Sequence, residues 1–96
     1  MGRNEILERL RAQRPRLAQF QVQSLAVFGS VARDQVRPDS DVDVLVEFKG
    51  PATFDRYMTL KDFLEGVLGR PVDLLTRKGI RPEFMPYVEQ EAVYVS

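Results

Sequence analysis

The sequence predicts an α/β sandwich, a small mixed sheet of about four strands flanked by helices. Three observations point there. Short apolar runs at 24–28, 41–48, 72–76 and 92–95 have the length of strands, and the second is dense in β-branched residues. Segments of helical periodicity precede and separate them. No repeat, low-complexity tract or linker divides the 96 residues, so 1–96 is expected to form a single domain.

Taken in order, Ile6, Leu7 and Leu10 are at helical spacing over residues 4–13, with Asn4 as a candidate N-cap and Pro15 interrupting the pattern. Leu17 and Phe20 extend this into a short second turn. The run SLAVF, 24–28, reads as a buried strand ending at Gly29. Residues 31–34 have room for only a turn or two of helix, and 35–40 form a polar loop containing Pro38. A second strand covers 41–48 and stops at Gly50-Pro51. From Phe54 to Leu68, apolar residues recur every three or four positions, predicting the main helix, with Thr53 to cap its start and Gly69 to end it. Val72–Thr76 reads as a third strand, 82–91 as a short helix troubled by Pro86, and 92–95 as a fourth, edge strand.

Composition narrows the chemistry. Fourteen basic and fourteen acidic residues cancel, so the broad positive field of a nucleic-acid binder is missing and no direct nucleic-acid contact is expected. Without cysteine or histidine there is no thiolate or imidazole ligand and no histidine base. Metal chemistry must therefore run on carboxylates. The N-terminal stretch is charged throughout, which predicts a cytoplasmic protein with no membrane span.

The segment FGSVARDQVRPDSDVDVLVEF, 28–48, carries the candidate site. After a strand, Gly29 permits a tight turn and close approach of a ligand. Ser30 opens a helix whose free N–H groups suit a phosphate. On a strand, Asp41 and Asp43 share one face while Val42, Val44 and Val46 share the other. Two adjacent carboxylates repel unless a cation lies between them, and hard oxygen ligands favour Mg²⁺ completed by substrate phosphates. Asp73, within PVDLLT, is costly to bury unless paired with an arginine such as Arg70 or Arg77, or set on a cation. If its strand lies beside that of Asp41 and Asp43, the three carboxylates converge. Two metals could then be bound, with Asp73 as the candidate base. Arg33 and Arg37 either neutralise a triphosphate, or face solvent or pair with Asp39.

With Gly-Ser, ten intervening residues, Asp-x-Asp and a later in-strand carboxylate, the chain resembles the nucleotidyltransferase superfamily with the DNA polymerase β-like fold. More narrowly it is similar to the minimal nucleotidyltransferase (MNT) antitoxins, in length, in the run from Ala32 to Phe48, in PVDLLT and in the closing EAVYV. That resemblance implies the nucleotidyltransferase fold. It also implies that Gly29 and Ser30 contact the nucleotide phosphates, that Asp41 and Asp43 bind Mg²⁺ and that Asp73 completes the catalytic site. The activity implied is transfer of AMP from ATP to a tyrosine hydroxyl of a HEPN-type ribonuclease toxin held in a hetero-oligomeric complex. Asp34 departs from the family pattern, which has glycine there, and its extra carboxylate works against nucleotide binding. A second class of function stays open, a non-catalytic antitoxin that neutralises by binding and keeps a relic or sensory nucleotide site.

Overall fold

A computed structural model describes residues 2–37 and 39–96, so Pro38, expected in the 35–40 loop, lies outside the described residues. Ten elements follow in order: α1 (Arg3–Arg11), α2 (Arg14–Gln19), β1 (Val22–Phe28), α3 (Gly29–Ala32), β2 (Val42–Phe48), α4 (Phe54–Leu68), β3 (Val72–Thr76), a 3-10 turn (Arg77–Gly79), α5 (Met85–Glu91) and β4 (Val93–Tyr94). The strands form one sheet in the order β3-β2-β1-β4. The β2–β3 pair is parallel and the other pairs antiparallel, giving the mixed α/β sandwich that the sequence predicts.

Alternation along the strands divides the sheet into two faces. Val42, Val44 and Val46 of β2, Leu25 and Val27 of β1 and Val72 and Leu74 of β3 are buried in the core with Ile6, Leu10, Leu60, Leu64 and Leu68 of the helices. The intervening positions of β2 and β3, among them Asp43 and Asp73, therefore occupy the other face. A parallel pair needs a crossover, and α4 supplies it. Its start is capped by Thr53, whose hydroxyl accepts from the Arg56 N–H at 3.2 Å. Its end is set by Gly69 in the left-handed region, φ 66°, with its N–H on Glu65 O at 2.8 Å. Two side chains of α4 then fix β3. The Tyr57 hydroxyl donates to Leu74 O at 2.6 Å, and Glu65 Oε2 accepts from the Val72 N–H at 2.9 Å.

Several expectations shift. The first helix begins at Arg3 with Gly2 as N-cap and no side-chain cap bond, so Asn4 lies in the first turn instead of capping it. The helical pattern breaks at Ala12 and Gln13, and Pro15 lies in the first turn of α2, where the first helical positions need no N–H bond. β1 reaches back to Val22 through an irregularity between Val22 and Ser24. α5 begins at Met85, which places Pro86 in its tolerant first turn. Phe54, counted in the apolar stripe, is 76% exposed and lies outside the core.

Candidate active site

The buried strand β1 delivers the chain to Gly29, which takes φ 68°. Only glycine suits this position, for two reasons. The left-handed conformation strains any side chain, and a Cβ added here would collide with the Asp43 carboxylate, reaching its Cγ at 3.0 Å. The register explains that contact, because Phe28 pairs with Asp43 across β1 and β2. The glycine turn and the carboxylate are therefore in direct contact, although 14 positions separate them in the sequence, as 43 − 29 shows.

On the other side of β2, Asp43 pairs in register with Asp73 of β3. Residues so paired in a parallel ladder project to the same face. Asp41 lies just before β2 and is exposed, where the sequence placed it inside the strand. The electrostatics of Asp43 reflect the same neighbours. Burial pushes the Asp43 carboxyl above its usual range, and the charges of Asp73 and then Asp41 push it further, against a lowering by Arg33 and with a small rise from Glu91. Asp43 thus has Gly29 in contact and Asp73, Asp41 and Arg33 near enough to act on its charge. Asp73 itself is exposed, so the burial cost that called for either an arginine partner or a cation does not arise. Arg70 bonds instead to Arg37 O at 2.5 Å, and Arg77 to Glu47 at 3.0 Å and Glu89 at 2.5 Å.

A hard cation fits this donor set. Half-buried Asp43 carries two like charges beside it, and a cation is the simplest way to relieve that repulsion. Among the described residues, no three carboxylates gather closely enough to enclose an ion as they are arranged here.

The remaining candidate residues lie on and just after α3. Ser30 is half-buried and lines an open depression of about 610 Å³ with Gln35, Val36, Arg37 and Ser40. A second depression of about 310 Å³, between Val46, Phe48, Thr76 and Lys78, lies at the far ends of β2 and β3, away from the aspartates. Arg33 donates from Nε to Gln35 Oε1 at 3.2 Å and from Nη1 to Glu91 Oε1 at 2.7 Å. Glu91 Oε2 in turn accepts from the Gly29 N–H at 3.3 Å. Glu91 was missed by reasoning from sequence. Its only signal was its place at the head of the closing EAVYV.

Among the described residues, neither Arg33 nor Arg37 pairs with Asp39. Asp34 is exposed and has φ 58°, the conformation that the family's glycine supplies without strain. Its charge is not among those that shift Asp43.

The model of the nucleotidyltransferase domain family matches residues 4–95. A candidate protein adenylyltransferase of Methanocaldococcus jannaschii is 38% identical over 96 residues, covering 96% of this chain and 96% of its own. The protein adenylyltransferase MntA of Thermococcus cleftensis is 37% identical over 76 residues, covering 79% of this chain and 77% of that protein. Among solved structures, a candidate minimal nucleotidyltransferase superposes with a TM-score of 0.86 at 36% identity, over 97% of this chain and 95% of that one. A complex of tri-AMPylated Shewanella oneidensis HEPN toxin with MNT antitoxin matches at a TM-score of 0.60 and 20% identity, over 98% and 68% of the two chains, a likeness of fold alone. With the aspartates and the glycine turn in place and the family match running nearly end to end, the chain belongs to the nucleotidyltransferase domain family, as one of its minimal members.

Proposed function

We propose that this protein is a Mg²⁺-dependent nucleotidyltransferase that moves AMP from ATP to a hydroxyl, a tyrosine of a HEPN-type toxin, and thereby serves as a cytoplasmic antitoxin. The observation that carries the reading is the register of Asp43 with Asp73 on parallel strands, with Gly29 against the same Asp43 carboxylate. Relatives named as protein adenylyltransferases support the choice of AMP and of a protein acceptor.

In this reading the Gly29 N–H, Ser30 and Arg33 bind the phosphates of ATP. Asp41, Asp43 and Asp73 would hold two magnesium ions, which would supply charge to neutralise the phosphates and lower the pKa of the attacking hydroxyl. The acceptor oxygen forms a bond to the α-phosphorus in line with the departing pyrophosphate, and the bond from that phosphorus to the bridging oxygen breaks. Asp73, exposed at the face of the site, takes the hydroxyl proton. Neither a membrane nor a nucleic acid has a part in this chemistry. No helix among the described residues is long and apolar enough to cross a membrane.

Intact mass spectrometry of the protein encoded beside this one, after incubation with the chain, ATP and Mg²⁺, tests the reading. One or more AMP additions on the partner are expected. An unmodified partner that is nevertheless neutralised would overturn it in favour of inhibition by binding alone.

A further inference from the structure

Glu91 occupies a position that the proposed chemistry does not use. It is the last residue of α5, yet its two carboxylate oxygens reach two donors of the phosphate seat, the Gly29 N–H at 3.3 Å and the Arg33 guanidinium at 2.7 Å. A carboxylate that spans a backbone N–H and an arginine presents the same pair of acceptors that a phosphate would offer there. Meanwhile Asp41, Asp43 and Asp73 already crowd the neighbouring face with negative charge, and Arg33 is the cation that opposes them at Asp43. A fourth carboxylate quenches that cation.

Holding α5 in place does not require Glu91. None of the residues of α5 is fully buried, and polar contacts help to fasten the helix. Two residues earlier, Glu89 is bound by Arg77 at 2.5 Å, and Arg77 also reaches Glu47 of β2 and the Tyr94 hydroxyl of β4, at 3.0 and 2.6 Å. These contacts join α5 to the sheet independently.

We propose that Glu91 is an affinity-setting residue of the nucleotide site, a built-in competitor that holds the Gly29 N–H and Arg33 until a phosphate replaces it. The inference rests on the nucleotide reading given above. It implies that a ligand must carry at least one anionic group with two accessible oxygens to open the seat. A nucleoside without phosphate gains nothing by displacing Glu91. Because the Arg33–Glu91 pair is part-exposed, with side chains 49% and 35% accessible, competition is modest, worth about a two- to five-fold change in Kd.

The test is calorimetric titration of wild type, Glu91→Gln and Glu91→Ala with MgATP, with magnesium pyrophosphate and with adenosine. Both variants are expected to bind the two phosphate ligands about two- to five-fold more tightly, with adenosine binding unchanged. Glu91→Gln keeps an acceptor for the Gly29 N–H, which guards against a folding defect, and thermal melts of both variants confirm the fold. A positioning role would give the opposite order, weaker binding in Glu91→Ala with rescue in Glu91→Gln, and would overturn the proposal. So would unchanged binding in both variants, or an equal gain for adenosine. If wild type and variants all fail to bind MgATP, the nucleotide reading itself falls, and a wild type that binds while the variants gain nothing defeats only the role of Glu91.

Discussion

At Asp43 the proposed chemistry runs against stability. Its carboxyl is raised by burial, then by Asp73 and Asp41, so its ionised form is disfavoured in the folded protein. Below the unfolded value, near 3.8, both states hold the proton and there is no penalty. As pH rises past that value the unfolded chain ionises first, and the folded state is destabilised until its own carboxyl has ionised. Asp43→Asn is therefore expected to raise Tm at neutral pH and to lose that advantage below pH 3.8, in melts followed by circular dichroism. The same substitution should lower nucleotidyl transfer by about 100-fold or more. Asp34 carries a different lesson. Its charge predicts weaker nucleotide binding, yet the structure gives a backbone reason for glycine there, φ 58°, and leaves the side chain exposed. Asp34→Gly is expected to change MgATP affinity by less than about three-fold and stability by less than about 1 kcal/mol, because aspartate tolerates this conformation.

Among the elements, α4 was legible in the sequence from end to end, from its cap at Thr53 to its stop at Gly69, because capping residues and periodicity agree there. Losing the cap in Thr53→Ala should cost about 1 kcal/mol in urea denaturation. Tyr57 had no evident chemical role in the sequence, since a hydroxyl reaching a backbone carbonyl 17 positions away leaves no local pattern. Tyr57→Phe is expected to cost about 0.5–1.5 kcal/mol by the same measurement. It should also reduce transfer, since this bond helps to hold the strand that carries Asp73. α5 was less legible. Proline read as a helix breaker at 86, whereas it sits in the first turn, where a missing N–H costs nothing. The ends of β1 and of the first helix moved for similar local reasons, an irregular pairing at Val22 and a backbone N-cap at Gly2.

For the molecule as a whole, the composition of the site was readable because Gly-Ser and Asp-x-Asp lie on one short segment with fixed spacing. The approach of Asp73 was readable only as a condition, since no local pattern states which strands are neighbours. The order β3-β2-β1-β4 meets that condition, with α4 carrying the crossover that makes β2 and β3 parallel. Glu91 stayed invisible for the same reason, as it meets Gly29 across 62 positions. The claim on which the account depends is that these converging aspartates make the chain an enzyme acting on its partner. It is tested most directly with α-labelled ATP and Mg²⁺, comparing wild type with the double variant Asp41→Asn/Asp43→Asn on the purified partner toxin, with toxin neutralisation assayed in parallel. Label on the partner with wild type, and loss of both label and neutralisation with the double variant, is the expected result. An unlabelled partner that the double variant neutralises as well as wild type does would contradict it.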